Sequence, residues 1–255
     1  MTSDPNRFLD RLRHSTRFET IQHLASCDST QDLARELPSD GLVWADAQRQ
    51  GRGRGAGRQW LSGAGLDVEM TLRATGITIQ DPTTLAAAVP AAIARALDPF
   101  VEPHSIRMKW PNDLYLGNRK LAGILIDALG NPPRTYLIGV GINVNRTEFD
   151  PSLRSIATSI ALERGRPAPR DQVVCAVGTA VHEALDSLSQ GDRGPYAQLF
   201  AERLQLLERE VIVELTGKPA REVRGRLRQI DLQFATLEGQ PDRIRLARVQ
   251  QIRPV

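Results

Sequence analysis

Lys109-Trp110-Pro111-Asn112-Asp113-Leu114-Tyr115-Leu116-Gly117-Asn118-Arg119-Lys120-Leu121-Ala122-Gly123 is the stretch from which the rest of the chain can be read. Gly117-Asn118 supplies the residue types that tolerate positive φ, so residues 114–121 predict a hairpin closed by a two-residue turn. Trp110-Pro111 predicts extended backbone, because proline pushes the residue before it out of the helical region. The stretch also holds two of only three lysines: of 33 basic residues, Lys109, Lys120 and Lys218 are lysine and 30 are arginine. An ammonium is a compact point charge and a guanidinium a wide fork, so lysine kept in an arginine-rich chain marks a tight anionic site, with chance retention as the alternative. Asn112-Asp113 reads as an ordinary turn, or as a place where Asp113 holds Mg²⁺.

Further along the chain, residues 124–129 and 136–144 extend the sheet. Gly139-Val140-Gly141-Ile142-Asn143 ends the second of them with glycines that permit close backbone approach and an amide at Asn143. Upstream, residues 6–14 predict an amphipathic helix and residues 17–24 a strand. Ser29-Thr30-Gln31-Asp32 caps a helix that stops at Pro38. Residues 41–46 and 66–73 read as strands, and residues 83–97 as an Ala-rich helix kinked at Pro90. Apolar residues at helical spacing follow over 171–188, with another helix over 196–207. From about residue 208 the pattern changes to short alternating runs (211–215, 222–230, 235–238, 244–249) punctuated by Gly217, Gly225 and Gly239. That divides the chain into a large part, 1–207, and a small all-β unit, 208–255, which is too small to stand alone and must pack on the rest.

Between the strands at 41–46 and 66–73 lies Gln48-Arg49-Gln50-Gly51-Arg52-Gly53-Arg54-Gly55-Ala56-Gly57-Arg58-Gln59-Trp60. Four glycines and three arginines fall within 51–58. Glycines let backbone N–H groups approach an anion, and arginines add bidentate donors. No Gly-Lys-Ser/Thr closes the loop, so it is not a P-loop, and residues 60–65 cannot supply the helix of a dinucleotide fingerprint. An RGG-like RNA-binding segment fits the composition, but the flanking strands favour an active-site loop.

The gross numbers are those of a soluble globular protein: 255 residues, 41% hydrophobic and 25% charged. A net charge of +3, with basic residues mixed among 30 acidic ones, gives no nucleic-acid stripe. Cys27 and Cys175 make no disulfide framework or metal pattern, which suits a reducing cytoplasm. His14, His23, His104 and His182 have no ligand spacing. The first residues lack an apolar signal core, and the apolar run at 85–97 is too short to span a bilayer. Arg221, Arg224, Arg226 and Arg228 read as a solvated strand face, with contact to a carrier protein as the alternative.

Ser29-Thr30-Gln31, Gly51-Arg52-Gly53-Arg54, the stretch from Lys109 to Gly123 with Ile124-Leu125, and Gly139 to Asn143 occur in an order that resembles the biotin protein ligases. The resemblance covers about residues 16–255. It implies an α+β fold: a mixed, largely antiparallel sheet backed by helices, with a small C-terminal SH3-like β-barrel. It implies ATP-dependent activation of biotin to biotinyl-5′-AMP, then transfer to a lysine of a biotin carboxyl carrier protein or domain. Lys120 and Arg54 would be catalytic. Biotin would be held by Ser29, Thr30, Gln48, Gly51, Arg52, Arg54, Lys120, Gly123, Gly139 and Ile142. ATP would meet Arg54, Arg58, Trp60, Lys109, Asn112, Lys120 and Asn143, and Asp113 would hold Mg²⁺. The loop is one residue longer than is usual in the family between its second Arg and the Trp, which leaves Arg58 open. A lipoate ligase or octanoyl transferase of the same superfamily is the alternative. A DNA-binding repressor is disfavoured because only about fifteen residues precede the first expected strand. The expected assembly is a monomer or homodimer, without nucleic acid or membrane.

Overall fold

The computed structural model describes residues 5–255 except 56, 58, 80, 131–133 and 218–220, with side chains from residue 9 onward. The chain begins with α1 (Pro5–Ser15), β1 (Thr20–Leu24), α2 (Thr30–Arg35), β2 (Gly41–Ala45), β3 (Val68–Ala74) and α3 (Pro82–Leu97). Four strands follow: β4 (Ile106–Lys109), β5 (Asp113–Leu116), β6 (Arg119–Leu129) and β7 (Thr135–Ile142). Next come helices α4 (Ile160–Arg164), α5 (Arg170–Ser189) and α6 (Gly194–Leu204). The last strands are β8 (Glu210–Leu215), β9 (Arg221–Ile230), β10 (Phe234–Leu237), β11 (Ile244–Arg245) and β12 (Val249–Pro254).

The central sheet has seven strands in the order β1-β2-β3-β7-β6-β5-β4. Only β1 and β2 run parallel, joined across α2, and every other pairing is antiparallel. Side chains on a strand alternate between faces, so β7 sends Ile138, Val140 and Ile142 into the main core and leaves Gly139 and Gly141 on the opposite face. β2 does the same with Leu42 and Trp44 against Val43. Helices α3 and α5 cover the first face, with α1 packed on α5. On the second face, Ala34 at the end of α2 and Leu37 just beyond it form a small cluster with Val43 and Leu137. Much of that face therefore stays open beside bare glycine backbone.

The second sheet is antiparallel, in the order β11-β10-β9-β8-β12, and is SH3-like. It shares one continuous hydrophobic cluster with the first. Trp110 Nε1 donates to Val249 O at 3.0 Å, and Gln233 Nε2 donates to Asp81 Oδ2 at 3.1 Å. Arg224, Arg226 and Arg228 lie on an exposed face, each paired with glutamates such as Glu222, Glu210 and Glu238.

Several sequence expectations need adjustment. The run at 244–249 is broken by a 3₁₀ turn at Leu246–Arg248, and β12 follows it. β4 and α4 had no sequence reading because both are short. Residues 110–112 form a turn with a cis Trp110–Pro111 bond rather than an extended run.

Candidate functional site

A cavity of about 250 Å³ opens on the glycine-bearing face of the central sheet. Its floor is made by Gly139 and Gly141 of β7 with Gly123 of β6, which stands opposite Gly141 in the strand register. Side chains there would fill the space: a Cβ on Gly139 would overlap Gln31 Oε1, and one on Gly141 would come within 2.6 Å of the Trp60 ring. The glycines are thus explained by close approach rather than by turn geometry.

Ser29, Thr30 and Gln31 enter from the start of α2. Ser29 sits at the N-cap in extended conformation, yet its hydroxyl makes no cap bond. Ser29 Oγ and Gln31 Nε2 are buried without hydrogen-bond partners among the described residues, and both residues line the cavity. Beside them Gln48 Oε1 accepts from Thr30 N at 2.7 Å and from Thr30 Oγ1 at 3.0 Å. Thr30 Oγ1 lies 2.9 Å from Thr71 Oγ1, which donates to Gln31 Oε1 at 3.2 Å. A buried polar group left unpaired costs about 1–3 kcal/mol, so these unpaired atoms await a polar ligand.

The Gly-rich loop forms the side wall. Its stem is tied by Trp60 N donating to Gly51 O at 2.9 Å and by a bridge between Arg52 and Gln59. Arg52, Arg54, Gln59 and Trp60 line the cavity, and Arg52 Nη1 lies 3.2 Å from Asp32 Oδ1.

Lys120 reaches the cavity through a bulge. The pairing of β5 with β6 runs Leu114 to Ala122 and then Tyr115 to Lys120, so Leu121 is an extra residue. That extra residue shifts the two-residue period and brings Lys120 onto the same face as Gly123. Lys120 Nζ would be 3.3 Å from a Cβ on Gly123, and it lies 2.6 Å from Asp113 Oδ1, an ion pair outside hydrogen-bond alignment. Asn112 and Asp113 also line the cavity. A second cavity of about 440 Å³ shares Arg54, Asn112, Ile124 and Leu125 with the first and reaches Trp110, Leu246 and Val249.

The structure gathers most of the expected residues: Ser29, Thr30, Gln48, Arg52, Arg54, Trp60, Asn112, Asp113, Lys120, Gly123 and Gly139 share one cavity. Four others stand off its wall. Ile142 points into the helical core because it is an odd number of residues from Gly139 and Gly141. Gly51 is spent on the loop stem, where a Cβ would press on Trp60 O. Lys109 Nζ lies 5.5 Å from the Tyr115 ring centroid. Asn143 is buried and donates to Thr158 O at 2.9 Å, holding the segment whose Ile156 O and Thr158 N bond the Lys120 backbone. Arg58 lies outside the described residues. Trp110, within the most telling motif, faces Phe200 and Val249 and is no wall of this cavity. Cys27 is buried, and burial pushes its thiol pKa up, as expected of a packed residue.

Sequence reasoning missed Gln31, Thr71 and Gly141. Gln31 was signalled by its place in the Ser-Thr-Gln run and Gly141 by its two-residue step from Gly139. Thr71 carried no signal beyond strand alternation.

The sequence model of the biotin/lipoate A/B protein ligase family matches residues 18–145. The bifunctional ligase/repressor BirA of Salmonella typhimurium is 30% identical over 251 residues, 92% of this chain and 74% of that protein. A biotin–[acetyl-CoA-carboxylase] ligase of Paracoccus denitrificans is 36% identical over 129 residues, 48% of this chain and 52% of that one. In fold, the biotin protein ligase of Aquifex aeolicus, solved with biotin and ATP, superposes with a TM-score of 0.79 at 24% identity, covering 93% of this chain and 100% of that one. On the matched domain and the BirA relative together, the chain belongs to the biotin/lipoate A/B protein ligase family.

Proposed function

We propose that this protein activates biotin with ATP to biotinyl-5′-AMP and then transfers biotin to a lysine of a biotin carboxyl carrier protein or domain. The observation that carries the reading is the pair of unpaired buried atoms, Ser29 Oγ and Gln31 Nε2, over one end of a glycine floor with Lys120 over the other. Gly139 and Gly123 are one strand and two residues apart, about 8 Å from the spacings of a β-sheet. A cyclic urea offers both a carbonyl acceptor and N–H donors to Ser29, Thr30, Gln31 and Gln48. Its carboxylate tail then runs over the floor toward Lys120. The dithiolane ring of lipoate offers no such groups and would leave those atoms unpaired.

In the first step the carboxylate oxygen of biotin attacks the α-phosphorus of ATP and pyrophosphate leaves. Two unit charges about 4 Å apart repel by about 4 kcal/mol at an effective dielectric near 20. Lys120 and Arg54 offset that repulsion, with Arg52 beside them. The nucleotide lies at the junction of the two cavities, near Trp60 and Asn112. In the second step the carrier's lysine amine attacks the acyl carbon and AMP leaves. Asp113 would be the carboxylate to hold Mg²⁺, which takes one or two carboxylates plus phosphate oxygens, and it would have to share with the metal the oxygen that lies 2.6 Å from Lys120 Nζ. When bound, Mg²⁺ would neutralise phosphate charge. Residues 208–255 form a small second unit, packed on the first through a shared core, that closes the second cavity.

ATP–pyrophosphate exchange measured with biotin, lipoate or octanoate as the only added acid tests the reading. Biotin alone should support exchange, and equal exchange with lipoate would overturn it.

A further inference from the structure

Glu69 is the second residue of β3 and has no exposed surface. Its oxygens take neutral donors: Oε2 accepts from Gln48 Nε2 at 3.0 Å and Oε1 from Ser62 Oγ at 2.5 Å. Burial pushes its pKa up, opposed by those two donors. A buried carboxylate held by neutral donors is an expensive group. Its effect falls on Gln48, whose amide lies between Glu69 and Thr30.

Both neighbours of Gln48 suit one orientation. A backbone N–H can only donate, so Thr30 N requires Gln48 Oε1. That leaves Nε2, which can only donate, turned to Glu69, whose Oε2 accepts from it. With its oxygen committed to Thr30 and one Nε2 hydrogen to Glu69, Gln48 has the second Nε2 hydrogen left for the cavity it lines. The Ser62 bond is equally fixed. Its oxygen already receives Gln48 N at 3.2 Å and Ala64 N at 3.4 Å, so its hydrogen goes to Glu69. A neutral amide at position 69 could serve only one of the two donors.

We infer that Glu69 is a positioning residue that fixes the Gln48 amide with N–H toward the cavity, selecting an acid whose head group carries a carbonyl-type acceptor there. The inference rests on the biotin-ligase reading of the cavity.

The test is Glu69→Gln in biotin-dependent ATP–pyrophosphate exchange, with biotin and ATP varied separately and folding checked by circular dichroism. The expected result is a biotin KM raised tenfold or more, with the ATP KM within threefold of wild type. The double variant Gln48→Glu/Glu69→Gln, which exchanges the two side chains, separates orientation from mere packing. The carboxylate now at position 48 accepts from Thr30 and from the amide now at position 69, and the carbonyl of that amide accepts from Ser62. Every internal bond is remade, and the cavity-facing N–H is lost. Its thermal midpoint should return to the wild-type value while its biotin KM stays raised. A folded Glu69→Gln protein with biotin KM within threefold of wild type overturns the inference. So does an equal rise in both KM values, or a double variant with wild-type biotin KM. If Glu69→Gln does not fold, the double variant decides alone. Wild-type exchange indifferent to biotin overturns the ligase reading and takes this inference with it, a result distinct from the others.

Discussion

Replacing Lys120 by Arg keeps the charge and changes only the shape of the cation, so it tests the reading drawn from the scarcity of lysine. Nζ lies 2.6 Å from Asp113 Oδ1 and directly over the backbone of Gly123. A longer, planar guanidinium cannot occupy that place; it must swing outward over Gly123, into the path of the reacting carboxylate and phosphate. If the mean distance from cation to anion grows from about 3 to about 5 Å, the attraction falls from about 5.5 to about 3.3 kcal/mol at an effective dielectric near 20. The loss, about 2 kcal/mol per anion, lowers the adenylation rate on the order of 40-fold. The assay is ATP–pyrophosphate exchange at saturating biotin and ATP, with circular dichroism to confirm the fold. An Arg variant within about threefold of wild type, roughly 0.7 kcal/mol of barrier, would refute the argument that a compact cation is needed.

Gly139→Ala places a methyl against the end of Gln31, a movable side chain, so the fold should lose little while biotin KM rises about 5- to 150-fold, the worth of one misplaced buried hydrogen bond; an unchanged biotin KM would contradict the assigned floor. Arg54→Gly should still form biotinyl-5′-AMP but hold it poorly, because the loop loses a cation that faces the cavity. Mass spectrometry of a mixture with albumin should find biotin on albumin lysines faster than with wild type, and equal labelling would exclude the loop as a lid. Asp81 accepts from Thr83 N at 2.9 Å to cap α3 and also binds Gln233, so Asp81→Ala should cost about 1–2 kcal/mol in urea unfolding. Burial alone would raise the Asp81 pKa, but the bonds from Thr83 and Gln233 hold it below the ordinary value. That contribution is present above the unfolded aspartate pKa of about 3.9 and is lost as pH falls through the folded value. The stability gap between variant and wild type should therefore close in acid; a constant gap would show that the charge plays no part.

Local chemistry made much of this protein legible. The Gly117-Asn118 hairpin turn, the helical spacing over 171–188 and the change of period near residue 208 are read over a few residues, where steric and burial preferences act directly. The scarcity of lysine pointed to Lys120 and the glycine-rich loop to Arg54, whereas Ser29 and Thr30 were named as ligand contacts only through the family resemblance. What the sequence left open depends on parity and on distant partners. Ile142 and Gly141 are neighbours, yet one lies in the core and the other on the cavity floor, because strand side chains alternate and only the packing of α3 and α5 decides which face is covered. Lys120 faces the cavity only because Leu121 is an extra residue in its pairing with β5. Trp110 belongs to the most specific motif, but it is taken by Phe200 and Val249, far along the chain. Glu69 looked like one more acid in an alternating strand. Its meaning comes from Gln48 and Ser62, 21 and 7 residues away, which meet at its carboxylate only when the loop between β2 and β3 folds back over the sheet.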